Sequence, residues 1–283
     1  MSRRIHFTKM HGTGNDFILI DNRSHFFTGE EHELFRKLCH RRFGIGADGL
    51  MLIDFSSPEF FELKYFNADG KPAEMCGNGA RCAVYFVYLL SQQNHQFEFK
   101  VCGQKYRGEV KNKDWVKIYW NFNPIIQNID ELENVVSHEF AHYAFINSGV
   151  PHLILETKKP IDQIDVVKMG KYFRYHPYFL PQGTNVNFIS INQNGVQVRT
   201  YERGVEGETL SCGTGALAVA CAGVLWDKIQ LPVKVFTRGG MLRVGKDNST
   251  GKLWLEGPVK TVFYGFFEQQ YFDEFKIKIL ETE

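Results

Sequence analysis

Short apolar runs, some continuous and some alternating with polar positions, recur along the whole chain. In the first half they predict strands at Phe17–Ile20, Leu50–Ile53, Phe61–Phe66, Phe97–Val101, Tyr106–Val110 and Trp115–Trp120. In the second half they predict strands at His152–Leu155, Asn187–Ile191, Val196–Tyr201, Val233–Thr237, Met241–Val244 and Lys252–Leu255. Charged stretches at Glu30–Cys39 and Asp165–Tyr172 read as surface helices. Two segments stand apart: Cys82–Leu90 (CAVYFVYLL) and Ala216–Trp226 (ALAVACAGVLW) are apolar on every side. Both are far shorter than a membrane span, so a helix there must be buried all round. The expected fold class is mixed α/β (α+β), with a mixed β-sheet or barrel wrapped around a central apolar helix in each half. A doubly wound parallel sheet would need many more helices between its strands.

The halves repeat one another. Met75-Cys-Gly-Asn-Gly-Ala80 is echoed by Ser211-Cys-Gly-Thr-Gly-Ala216, about half the chain later, and each copy runs into one of the apolar segments. Phe17–Ile20 aligns with His152–Leu155, Asp48 with Asn185, and Phe66-Asn67 with Tyr201-Glu202, all at nearly the same spacing. Duplication accounts for this ordered set better than chance. Two pseudo-symmetric domains are expected: residues 1–125 carrying Cys76 and residues 126–264 carrying Cys212. Residues 265–283 are expected to return to the first domain and end in an extra tail.

Composition narrows the function. The chain has 283 residues, near the size at which one core stops growing, and 33 Lys plus Arg against 32 Asp plus Glu. A net charge of +1 steers toward no polyanion, so nucleic acid is not an expected partner, and neither is a membrane. The start, MSRRIHFTKM, has no apolar stretch of signal-peptide length behind its arginines. The 6 cysteines therefore read as thiols of a cytoplasmic protein. Cys39, Cys82, Cys102 and Cys221 read as small buried hydrophobes.

Cys76 and Cys212 read differently, because each opens a helix through a Gly-x-Gly-Ala turn. The first N–H groups of a helix lack intrahelical partners and its dipole is positive there, which suits a carboxylate. The same field favours thiolate near neutral pH. Two such starts brought face to face would set a sulfur on either side of one carbon acid. One could take its α-proton and the other return a proton from the opposite face, with no imine cofactor and no metal. No dinucleotide fingerprint, P-loop or metal-ligand cluster competes for the role.

His11-Gly-Thr-Gly-Asn-Asp16, Phe66-Asn-Ala-Asp-Gly70, Met75-Cys-Gly-Asn-Gly-Ala-Arg81, Pro151-His152, Asn185 and Tyr201-Glu-Arg-Gly204 with Ser211-Cys-Gly-Thr-Gly215 resemble the diaminopimelate epimerase family. The resemblance implies two like domains and cofactor-independent interconversion of LL- and meso-2,6-diaminopimelate by a homodimer. It implies Cys76 and Cys212 as paired acid and base, with Gly77, Asn78, Gly213 and Thr214 giving N–H groups to the reacting carboxylate. It also implies that Asn15, Asn67, Asn185, Glu202 and Arg203 hold the rest of the substrate, and that His152 and Glu202 tune the thiols. The chain departs from the family pattern at Gly49 and Val150, where Gln and Asn are common.

Three rivals are weaker. A proline or hydroxyproline racemase of this fold would leave Glu202-Arg203 and the asparagines little to bind. A thiol phosphatase needs Arg six residues after its Cys, whereas Arg81 is five after Cys76 and the second copy has Leu217. A pure binding module leaves two reactive-type cysteines unexplained.

Overall fold

The computed structural model describes residues 4–91, 94–121, 123–127, 136, 138–268 and 270. The architecture is mixed α/β, with four α-helices and seventeen strands among the described residues. Two compact units are present. The first takes in the chain up to Met75, Gly79–Val116 and the chain from Val259 onward; the second takes in Cys76–Asn78 and Lys117–Pro258. The divisions thus fall at Val116/Lys117 and Pro258/Val259 rather than at 125/126 and 264/265, and Cys76 groups with the second unit. The expected tail at 271–283 lies outside the described residues.

In the first unit, β1 (Arg4–Gly12) and β2 (Asn15–Asp21) form a hairpin. Its two turn residues, Thr13 and Gly14, both have positive φ, at 51° and 88°. That backbone matches the right-handed twist of the strands it joins. Helix α1 (His32–Cys39) buries Leu34, Phe35, Leu38 and Cys39 and crosses to β3 (Gly49–Ser57), parallel to β2. Next come β4 (Phe60–Asn67), antiparallel to β3, and α2 (Gly77–Ser91). Then follow β5 (Gln96–Val101), parallel to β4, and β6 (Gln104–Asn112), antiparallel to β5. The boundary at Val116/Lys117 falls within β7 (Trp115–Tyr119), and β8 (Ile125–Gln127), antiparallel to the strand at Phe140–Asn147, belongs to the second unit.

The second unit runs through the same sequence of pairings. β9 (Phe140–Asn147) and β10 (Pro151–Thr157) are antiparallel. Helix α3 (Val166–Arg174), capped by the Asp165 carboxylate on the Lys168 N–H, crosses to β11 (Asn185–Asn192), parallel to β10. β12 (Gly195–Glu202) returns antiparallel, and a short β13 (Gly207–Thr209) pairs with it. After α4 (Gly213–Leu225) come β14 (Val233–Thr237), parallel to β12, β15 (Gly240–Lys246) and β16 (Leu253–Pro258). β17 (Lys260–Glu268) then adds antiparallel to β1 along nearly its whole length, which places the chain from Val259 in the first unit.

Each unit has its own core. One gathers Phe7, Ile18, Phe27, Phe35, Leu50 and Phe66; the other gathers Phe140, Leu153, Phe173, Val186, Phe188 and Tyr201. In α4, residues Gly215–Ala220 are all buried, and the helix packs against β9–β12 and β14–β16. In α2, Gly77–Val84 are all buried, polar Asn78 and Arg81 included. Cys102 is not the small core residue expected: it is exposed, at φ 47°, in the turn between β5 and β6.

Candidate active site

The second unit contains both cysteine-led helix starts. Cys212 is the N-cap of α4, in an extended conformation, and its Sγ accepts the Gly215 N–H at 3.4 Å. Cys76 immediately precedes α2. The two first turns touch backbone to backbone. A Cβ on Gly213 would lie 3.2 Å from Gly77 Cα, and one on Gly77 would lie 3.5 Å from Gly213 Cα. Either Cβ would also press on Leu255 Cδ2 at 3.1 Å. Glycine at both positions is what lets two positively polarised helix ends meet this closely. The buried Asn78 amide ties them together, donating to the Ser211 carbonyl at 3.1 Å.

The expectation of a thiolate near neutral pH does not hold for Cys212. Burial pushes its thiol well above the usual range, and the Glu202 carboxylate and Cys76 push the same way. Hydrogen bonds from Thr214 and the Gly215 N–H pull down without outweighing burial. As the structure stands, Cys212 carries its proton.

Behind Cys212 lies a chain of polar contacts. Thr214 Oγ1 is 3.4 Å from Cys212 Sγ and 3.0 Å from His152 Nε2. His152 is fully buried on β10, and burial, with Arg203 nearby, pushes its imidazole down to about 3. It is a neutral ring at physiological pH. Its Nδ1 is 3.0 Å from the side-chain amide of Asn187, on β11. Ser148 Oγ donates to the Thr214 carbonyl at 2.8 Å. Asn187 and Ser148 carry no motif that marks them in the sequence. The available signal was an Asn inside an otherwise apolar run, Val186-Asn-Phe-Ile189, a poor residue for a buried strand.

The same unit brings Asn185, Glu202 and Arg203 to this end. Asn185 is buried; its amide donates to the Pro151 carbonyl and accepts the Arg203 N–H, both at 2.9 Å. Glu202 and Arg203 are half-buried at the end of β12, and the Arg203 guanidinium reaches the Gln182 carbonyl. Asn15 and Asn67 belong to the first unit. Asn67 is exposed and pairs across β3 with Gly49; Asn15 donates to Asp48 at 2.7 Å. Asp48 is held in turn by Arg41, which also grips Asp16. Burial works against the Asp16 carboxylate, yet hydrogen bonds from Arg41 and Lys9 bring it down to about 2. Among the described residues no group of three or more His, Cys, Asp or Glu could hold a metal ion. Among them, too, no helix is long and apolar enough to cross a membrane.

The family model for diaminopimelate epimerase matches residues 7–120 and 144–262. The chain belongs to the diaminopimelate epimerase family. It is 38% identical to a diaminopimelate epimerase of Hydrogenobaculum sp. (strain Y04AAS1), over 94% of this chain and 99% of that one. It is also 38% identical to one of Archaeoglobus fulgidus, over 93% and 96% of the two chains. Solved structures share the fold at low identity. One is a phenazine biosynthesis protein of the PhzF family from Bacillus anthracis, at TM-score 0.70 and 13% identity over 94% and 99%. Another is a hydroxyproline epimerase from Agrobacterium vitis, at 0.66 and 12% over 94% and 91%.

Proposed function

We propose that Cys76 and Cys212 are the two acid–base groups, one for each face, of an epimerisation interconverting LL- and meso-2,6-diaminopimelate. Family membership makes the chain a PLP-independent amino-acid isomerase acting on diaminopimelate, in lysine and peptidoglycan-precursor biosynthesis. The observation that carries the residue assignment is the backbone contact of Gly77 with Gly213, directly beyond the two cysteines.

In this reading the α-carboxylate sits between the helix starts. N–H groups of Gly77, Asn78, Gly213 and Thr214 donate to it and stabilise the charge that develops as the α-proton leaves. One sulfur, as thiolate, takes that proton; the other, as thiol, delivers one to the opposite face. Glu202 takes a substrate ammonium and Arg203 a carboxylate. Asn15, Asn67 and Asn185 complete the grip. An ammonium on Glu202 offsets the negative charge that holds the Cys212 proton, so ionisation of Cys212 is coupled to substrate binding.

The same reading takes each half as a mixed sheet around its apolar helix, supported by the burial of α2 and α4. It takes the working form as a cytoplasmic homodimer, supported by the exposed Val262, Tyr264 and Phe266 of β17. The test is incubation of purified, EDTA-dialysed protein with LL-diaminopimelate, with products separated by chiral chromatography. The expected result is a mixture of LL and meso forms, unaffected by a carbonyl-trapping reagent, with proline left unchanged. Absence of meso product, or racemisation of proline, would overturn the reading.

A further inference from the structure

We propose that Asn187 is a positioning residue for the acid–base chemistry: it fixes the tautomer of His152 and thereby aims the Thr214 hydroxyl proton at Cys212. The inference rests on the assignment of Cys212 as an acid–base group.

The direction of the chain follows from donors and acceptors. The Leu153 carbonyl can only accept, and it lies 3.2 Å from Asn187 Nδ2, so that atom is the amide nitrogen. On the other side of the amide, Asn187 Oδ1 accepts the Thr200 hydroxyl at 3.0 Å. The second Nδ2 hydrogen therefore points at His152 Nδ1, 3.0 Å away, which must be the unprotonated nitrogen. The ring proton is then on Nε2 and donates to Thr214 Oγ1 at 3.0 Å. With the ring proton directed at its oxygen, Thr214 keeps its own hydrogen free for Cys212 Sγ, 3.4 Å away, and donates it when that sulfur is ionised. Two donors, the Thr214 hydroxyl and the Gly215 N–H, thus converge on the sulfur and stabilise it as thiolate.

The surroundings are built for this arrangement. Asn187, His152 and Thr200 are all buried, so water does not reset the directions. A Cβ on Gly215 would meet Asn187 Oδ1 at 2.7 Å and Cys212 Sγ at 3.4 Å. The second glycine of the Cys-Gly-Thr-Gly motif thus makes room for Asn187 and the sulfur together. The ring stays neutral through the working pH range, so its tautomer, and not its charge, is the variable that Asn187 controls.

Two measurements test this. Long-range proton–nitrogen NMR on 15N-labelled wild-type protein, with the His152 signals identified by their loss in His152→Gln, should show the proton on Nε2. A wild-type ring protonated on Nδ1 would overturn the proposal without any mutation. The near-isosteric Asn187→Asp replaces the donor with an acceptor. It should move the ring proton to Nδ1, make Nε2 the acceptor of the Thr214 hydroxyl, and so turn that hydrogen away from the sulfur. The expected outcome is a moved tautomer with kcat down about 10-fold or more and KM for diaminopimelate within about threefold. A proton that stays on Nε2, or one that moves while kcat remains near wild type, would overturn the proposal. Wild-type protein with no epimerase activity would instead defeat the functional reading and leave the tautomer result standing.

Discussion

The two helix starts share one motif and differ in the side chains beneath their second glycines. Phe17 pairs with Gly49 across β2 and β3 just as His152 pairs with Asn185 across β10 and β11. Met51 then corresponds to Asn187, by the same count along those strands. In the first unit the second glycine of the turn, Gly79, faces the tip of Met51 and the Phe17 ring. In the second unit its counterpart, Gly215, faces the Asn187 amide and the Cys212 sulfur. Beneath Gly79 lie apolar side chains, and beneath Gly215 lies an amide hydrogen-bonded to His152 and Thr200. The two Cys-Gly-x-Gly turns repeat one motif, and the strand residues beneath them differ. The two sulfurs are therefore expected to differ in how they hold a proton, although their motifs look alike.

The largest break comes from removing a sulfur. Cys76→Ala or Cys212→Ala should each lower epimerisation by about 10²- to 10⁴-fold, the span of a lost acid–base group. Either variant turning over diaminopimelate at near wild-type rate would remove that cysteine from the chemistry.

The glycines test the undersides directly. Gly215→Ala should cost about 1–3 kcal/mol of stability by overpacking, because the Asn187 amide is held by its hydrogen bonds and cannot retreat. Gly79→Ala should cost less, since the close atom is the flexible end of Met51. Thermal unfolding of the two variants side by side checks the order, and Gly79→Ala proving the more damaging would refute the contrast.

A third test uses pH. His152 stays neutral down to about 3 in the folded chain, while in the unfolded chain it titrates near its ordinary 6.5. Below 6.5 the unfolded chain takes up a proton that the native one does not. The stability contributed by the neutral ring is therefore full above that value and is lost as pH falls from 6.5 toward 3. Denaturant unfolding at pH 7 and pH 5 should show a steeper loss for wild type than for His152→Gln. Equal slopes would contradict a buried neutral imidazole.

The smallest effect concerns charge. Glu202, at the end of β12, corresponds to Asn67 at the end of β4, so only the second unit sets a carboxylate there. Glu202→Gln should let Cys212 ionise at lower pH, because the carboxylate helps to hold its proton. Iodoacetamide alkylation of Cys212 followed against pH reads this, with an unshifted profile as the contrary result.

Much of this was legible in the chain. The paired Cys-Gly-x-Gly-Ala turns and the two greasy segments after them marked both helices, which the structure starts at Gly77 and Gly213. The predicted strands fall within or close to observed ones. Of those missed, β1 and β17 had lost their period. β1 carries a register shift between Lys9 and Met10, and Lys9 is buried where a polar residue predicts exposure. β17 reads Val-Phe-Tyr-Gly-Phe-Phe, with apolar side chains on both faces and four of them well exposed, so it shows no alternation. The lowered thiol pKa at Cys212 failed for a related reason. The helix field is visible from the motif, whereas the burial that outweighs it depends on the fold around Cys212. Asn187 was hidden because its role exists only through partners on β10, β12 and α4, all distant in sequence.

The central claim is that two sulfurs serve opposite faces of one carbon, and isotope exchange tests it most directly. LL-diaminopimelate incubated with the enzyme in D2O is stopped at low conversion, and both stereoisomers are recovered and analysed by mass and NMR. With two groups, the proton removed stays on one sulfur while the other delivers solvent-derived deuterium. The meso product should therefore carry deuterium at the inverted centre from the first turnovers, while the recovered LL substrate remains protiated. Meso product that retains substrate protium would mean that a single group takes the proton and returns it to the other face, and the two-sulfur account would fall.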